Sequence, residues 1–278
     1  MGKVLMTKRT AGRAFLQALP AVTVFICTCS RITGWVAPFL ISDDQEVALG
    51  KKFKAEIDRD SVSYPHFHGD ARISNFVDSL GQRLAGLQKD RETLVFDFTV
   101  IEDSSINAFA IPGGHVYVNT GLLKNADNVA EVAGVIAHEV GHITQYHGRD
   151  LFLEKSAFEY AGSILFGDSA SVAAALANMV GSMTFLKYSR TNEFEADSCA
   201  VAYATLAGVN PAGMKKFLQK LRDRYGEEPA IFEPFSTHPP LSDRIDAVEK
   251  VIEKTAGASM KSDTLLFGEE YGAIRSLL

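Results

Sequence analysis

The residues in this chain best suited to chemistry are His138-Glu139-Val140-Gly141-His142. On an α-helix, positions four apart differ by about 40° in azimuth, so both imidazoles leave one face and can share a metal ion. Glu139, beside the first histidine, can reach a water held by that ion. Zinc suits such a pair. It lowers the pKa of bound water and polarises a carbonyl, while a carboxylate takes the proton and passes it to the leaving amine. Two histidines leave the sphere incomplete, because a catalytic zinc keeps three protein ligands and one open position.

A third ligand must come from elsewhere. His147 lies nine residues past His138, about 180° round a continuous helix, and reads as a satisfied structural histidine. The stretch Ser189-Arg190-Thr191-Asn192-Glu193-Phe194-Glu195-Ala196-Asp197 offers three carboxylates instead. Glu193 and Asp197 share a helical face and Glu195 points nearly opposite. Glu193 is assigned as third ligand, with Asp197 as an acceptor that fixes the tautomer of one ligating histidine. His66 and His68 read as surface-loop residues and His115 as an exposed hairpin residue. Cys199 reads as a small apolar packing group.

These side chains need elements to position them. Residues 125–146 form a long amphipathic pattern, with Val129, Val132, Ala133, Ile136 and Val140 toward a core. Residues 191–206 make a second helix, ended by Gly208, and further helices follow at 211–225 and 241–255. Ahead of them, helices at about 42–87 break at 63–70, with Asp43 and Asp44 as the capping start. A strand covers 94–101, and a hairpin joins 107–111 to 115–119 through Pro112-Gly113-Gly114. Residues 151–187 read as a helical pair bent at Gly167-Asp168, and the last twenty or so residues carry little pattern. The expected fold class is α+β, predominantly helical.

Four motifs in order resemble metallopeptidase family 48, over about residues 42–252. They are Asn107-Ala108-Phe109-Ala110-Ile111-Pro112-Gly113-Gly114, then His138 to His142, then Glu193-Phe194-Glu195-Ala196-Asp197, and finally His238-Pro239-Pro240-Leu241-Ser242-Asp243-Arg244-Ile245. The resemblance implies a zincin-like fold whose small sheet turns an edge strand to the active-site cleft, one zinc ion per chain, and Glu193 as its third ligand. It implies Glu139 as general base and Asn107, Ala108, Phe109 and Ala110 as the edge along which a peptide lies. It also sets His238 and Arg244 near the metal. His238 is expected to stabilise the developing oxyanion or to latch the open zinc position, and Arg244 to act as an ion-pair partner.

The chain has 278 residues with a formal charge of −6. Four basic groups (Lys3, Lys8, Arg9, Arg13) and no acids occupy the first 29 residues, leaving 24 basic against 34 acidic groups beyond. That balance argues against nucleic acid, which needs clustered Lys and Arg. The basic start followed by an apolar run over 14–28 has the layout of a secretory signal, and the run is shorter than the roughly 20 residues of a membrane span. Ile26-Cys27-Thr28-Cys29 resembles a bacterial lipoprotein cleavage box, with Thr28 its departure from the small residue usual there.

The expected organisation is a signal peptide over 1–29, a zinc metallopeptidase domain over 30–255 and a carboxyl-terminal extension over 256–278. The expected activity is cleavage of misfolded or unassembled envelope proteins by an exported, periplasmic enzyme held on a membrane surface by lipid at Cys29. The alternative is a chaperone-like assembly factor whose zinc site is latched.

Overall fold

The computed structural model describes residues 42–89, 91, 93–155, 180, 188–227, 240–255 and 268–278. The expected signal segment with Cys27 and Cys29, most of the helical pair over 151–187, and His238 fall outside the described residues.

Helix α1 (Asp43–Arg59) starts at Ser42 rather than at the Asp43–Asp44 pair. The Ser42 hydroxyl accepts the Gln45 N–H at 3.3 Å while the Gln45 side chain accepts the Ser42 N–H at 2.9 Å, a reciprocal cap. Asp70 caps α2 (Ala71–Ala85), whose buried stripe is Ile73, Val77, Leu80 and Leu84. Among the described residues the sheet has three strands, β1 (Asp97–Ile101), β2 (Ala108–Ile111) and β3 (His115–Asn119). β3 is central, parallel to β1 and antiparallel to β2. β1 begins at Asp97, three residues after the apolar run does, because its first pairing partner is His115, where β3 itself starts. The β2–β3 turn runs through Gly113 and Gly114 at φ +88° and +100°, a region costly to any residue with a β-carbon.

The sheet separates two cores. Phe98, Val100, Ala108, Ala110, Val116 and Val118 face the main one, with α2 and the later helices. Phe109, Ile111 and Tyr117 face a smaller one under α1.

The pattern over 125–146 resolves into α3 (Thr120–Asn125) and α4 (Val129–Thr144), not one helix. Asn128 is extended between them, and its side chain takes the Glu131 N–H at 3.1 Å, a cap that favours a fresh start. The rest comprises α5 (His147–Lys155), α6 (Arg190–Leu206), α7 (Ala212–Tyr225), α8 (Leu241–Thr255) and α9 (Gly268–Arg275). α4 is buried along nearly its whole length. It lies so close to α7 that a β-carbon on Gly213 would fall 1.9 Å from the Ala130 carbonyl oxygen. Near the carboxyl terminus α9 docks on the main core, with Tyr271 fully buried and its hydroxyl donating to the Leu123 carbonyl. Among the described residues no helix is long and apolar enough to cross a membrane.

Candidate metal centre

Helices α4 and α6 supply the centre. The Ser189 hydroxyl accepts the Asn192 N–H at 3.2 Å and starts α6, which puts Glu193 in its first turn. Gly141 lets the two helices close. His138, His142 and Glu193, all buried, then offer one ligand atom each within 4.8 Å of one another. The His138 and His142 Nε2 atoms are 3.0 Å apart, and each lies 3.6 Å from a Glu193 carboxylate oxygen. Ligands about 2.05 Å from a tetrahedral zinc stand about 3.3 Å from each other, so the spacing fits that ion.

Charge gives a second, independent fit. Glu139, Glu193, Asp197 and Arg244 are all buried. Glu193 and Asp197 already exceed the single Arg244 guanidinium where water cannot screen the charge, and any ionisation of Glu139 adds to an excess that a bound cation would offset. The donor set of two imidazoles and a carboxylate is one that zinc takes.

The groups behind the ligands orient them. His138 Nδ1 lies 2.9 Å from Asp197 Oδ1, which sets the ring so that Nε2 carries its lone pair toward the other two ligands. Arg244, fully buried on α8, donates to both Asp197 oxygens at 2.6 and 2.9 Å and approaches Glu193 at 3.3 Å. Burial alone would raise the Asp197 carboxyl. The Arg244 charge and the hydrogen bonds from Arg244 and His138 outweigh it and hold the group far below the usual carboxylate range.

His147 is the satisfied, non-ligating histidine expected from the sequence, buried and hydrogen-bonded at both ring nitrogens, but the route to that reading fails. The azimuth argument assumed one continuous helix, but α4 ends at Thr144 and Tyr146 takes φ +61°. The chain therefore turns, and His147 opens α5 with its Nδ1 2.9 Å from His142 Nδ1. Its Nε2 faces Glu195 Oε2 at 3.4 Å, so the carboxylate pointing away from Glu193 meets the other side of the same centre. Tyr188 stacks on the His142 ring, with centroids 3.9 Å apart. No sequence pattern singled out Tyr188.

Other histidines move too. His115 is buried rather than exposed, with Nδ1 3.0 Å from Asp97 Oδ2 across the β1–β3 pair. His66 is partly buried and pairs with Asp58 at 3.1 Å, while His68 is exposed.

Glu139 projects toward the sheet. Burial first, and then the Glu193 charge, push its carboxyl well above the ordinary range, against Arg244 and a hydrogen bond from the Ala110 N–H. That N–H is available for a topological reason. The Asn119 N–H donates to the Asn107 carbonyl at 3.0 Å, so 107, 109 and 111 exchange bonds with β3. Ala108 and Ala110 alternate with them and direct their backbone groups off the edge that no other strand pairs among the described residues. Asn107, Ala108, Phe109 and Ala110 thus lie on the strand beside Glu139, although the Phe109 side chain turns to the α1 core.

Peptidase family M48 is the family model that matches, over residues 70–252. The chain belongs to peptidase family M48. Peptidases of family M48 depend on zinc, and His138, His142 and Glu193 form a group that could hold such an ion. Over 219 residues the chain is 32% identical to the beta-barrel assembly-enhancing protease of Escherichia coli, covering 74% of this chain and 43% of that protein. It is 30% identical to the protein of that name from Yersinia pestis over 250 residues, 85% of this chain and 50% of the relative. Over a shorter stretch the chain is also similar to the mitochondrial metalloendopeptidase OMA1 of Arabidopsis thaliana, 32% identical over 149 residues, or 53% of this chain and 30% of that one. The chain spans about half the length of the curated relatives it matches.

Proposed function

We propose that this chain hydrolyses peptide bonds in unfolded or misassembled envelope proteins, with Glu139 as general base. The observation that carries the reading is the meeting of His138, His142 and Glu193 within 4.8 Å of one another, with Glu139 beside His138 on the same buried helix. It sets a candidate base next to the three candidate ligand residues. An extended peptide adding to β2 through the outward groups of Ala108 and the Ala110 carbonyl would run past Glu139.

Zinc, when bound, supplies a Lewis acid and brings the pKa of a bound water near neutrality. The chain's own residues do the rest. Glu139 takes a proton from the attacking water and returns it to the leaving nitrogen. Its raised proton affinity suits that exchange. Asp197 and Arg244 keep His138 from turning, and Arg244 offsets part of the carboxylate charge. His238 is proposed as the donor for the developing oxyanion, or as a latch on the open position.

The names of the Escherichia coli and Yersinia pestis relatives support proteins in β-barrel assembly as the substrate class. Export, residence in the periplasm and attachment to a membrane surface through lipid at Cys29 follow from the amino-terminal pattern and belong to the same proposal. The same names also support a second reading, an assembly factor whose cleavage is seldom used.

The test compares wild type and Glu139→Gln on unfolded casein, with and without a chelator. Loss of a general base should slow cleavage about 10²- to 10⁴-fold while one zinc per chain is retained. Equal degradation by both proteins would overturn the mechanism. A zinc-bound wild type that leaves casein intact yet assists β-barrel assembly would favour the second reading.

A further inference from the structure

The two ligating histidines are held by unlike partners. His138 has a buried ionised carboxylate, whereas His142 has another imidazole. We infer that His147 is a positioning residue for the metal, acting through His142, and that Glu195 fixes the form of His147 in which it can do so. The inference rests on the zinc reading of the His138–His142–Glu193 group.

The proton count leaves one arrangement. To ligate through Nε2, neutral His142 must carry its single proton on Nδ1. That N–H points at His147 Nδ1, 2.9 Å away, which must then be an acceptor. Neutral His147 therefore carries its own proton on Nε2, and this N–H faces Glu195 Oε2 at 3.4 Å. The reverse arrangement would put a proton on His142 Nε2, aimed at His138 Nε2 only 3.0 Å away, and close the metal position.

Packing holds the set in place. His147 is 3% exposed, and Tyr188 lies over the His142 ring and against the His147 ring at 6.0 Å. Glu195 is different: its side chain is 51% exposed. The relay thus runs from a surface carboxylate through a buried imidazole to a metal ligand. A hydrogen-bonded partner on the far nitrogen orients a ligating histidine and raises its basicity, and removing one costs about 10- to 100-fold in metal affinity.

Two measurements on the full chain test this. Zinc affinity is read by chelator competition for wild type, His147→Phe and His147→Asn. The phenylalanine keeps a ring but accepts no hydrogen bond, and should weaken zinc about 10- to 100-fold. The asparagine Oδ1 can take the place of Nδ1 and should restore most of that loss. Unchanged affinity in His147→Phe, or equal losses in both variants, would overturn the inference. The second measurement needs no variant: long-range ¹H–¹⁵N spectra of the zinc-loaded wild type should show His142 protonated at Nδ1 and His147 at Nε2. A proton on His147 Nδ1 would overturn it as well. A wild type that binds no zinc would instead bring down the hydrolase reading, a result neither variant can mimic.

Discussion

Gly141 and Cys199 meet where α4 crosses α6, so closely that a β-carbon on Gly141 would lie 2.8 Å from the Cys199 Cβ. The same β-carbon would lie 3.2 Å from the Ala196 Cα. The glycine inside the histidine motif thus sets the distance between the helix that brings two ligands and the helix that brings the third.

Gly141→Ala should force those helices apart. Overpacking of this kind costs about 1–3 kcal/mol, and the displacement acts directly on Glu193. Thermal unfolding should show the stability loss, and chelator competition should show weaker zinc binding than the fall in melting temperature alone would suggest. Unaltered zinc affinity would mean that α6 is positioned by other contacts.

Arg244→Met should be among the most damaging single changes. It leaves Asp197 and Glu193 buried without their guanidinium, and breaking a buried pair in this way costs about 3–5 kcal/mol. Asp197→Asn keeps an oxygen acceptor for His138 and should fold better while holding zinc less tightly. The contrast is readable by urea unfolding beside a zinc titration.

Metal-free protein should carry a specific pH signature. In the folded metal-free state the Glu139 carboxyl sits well above its ordinary value, whereas the unfolded group titrates near about 4.3. Between those two values the folded state binds more protons than the unfolded one. Stability therefore falls as pH rises through that window. Metal-free Glu139→Gln lacks this dependence and should unfold at a higher temperature than metal-free wild type at neutral pH. The gap should close as pH falls toward 4, and a constant gap from pH 4 to 8 would contradict the assignment.

Backbone-modified substrates probe the β2 edge. Only alternate residues of an added strand hydrogen-bond to its neighbour, so N-methylation of a cleaved peptide should abolish turnover at every second position and spare those between. Product analysis by mass spectrometry over a methyl scan would show the alternation. Uniform sensitivity along the peptide would argue for another binding mode.

Much of this site was legible beforehand because its rules are local. The i, i+4 spacing put His138 and His142 on one face, and the same spacing paired Glu193 with Asp197. The hairpin followed from consecutive glycines after a proline. His147 is a satisfied histidine as read, but its direction was not legible, because azimuth bookkeeping holds only while a helix continues and nothing local in Tyr146 announces a positive φ. Asn128 likewise divides what a hydrophobic repeat alone presents as continuous. Tyr188 and the buried His115–Asp97 pair depend on contacts between elements distant in sequence, and no periodicity encodes those. α9 is hidden for a similar reason, since Tyr271, Ile274 and Arg275 hold it through contacts with residues far away in sequence.

Glu46 on α1 accepts from Arg91 at 2.8 Å and from the Gly113 N–H at 3.2 Å, and Arg149 stands 4.0 Å away. Both arginines lie over the Tyr146 ring, 4.4 and 3.8 Å from its centre. A fragment trimmed to the family boundary at residue 70 would lose both acidic partners of Arg91, Asp43 and Glu46, beside the bend that delivers His147, and would uncover the back of the sheet. Residues upstream of the shared domain are thus tied into the core that carries the candidate metal centre, and any minimal version of this protein should retain them.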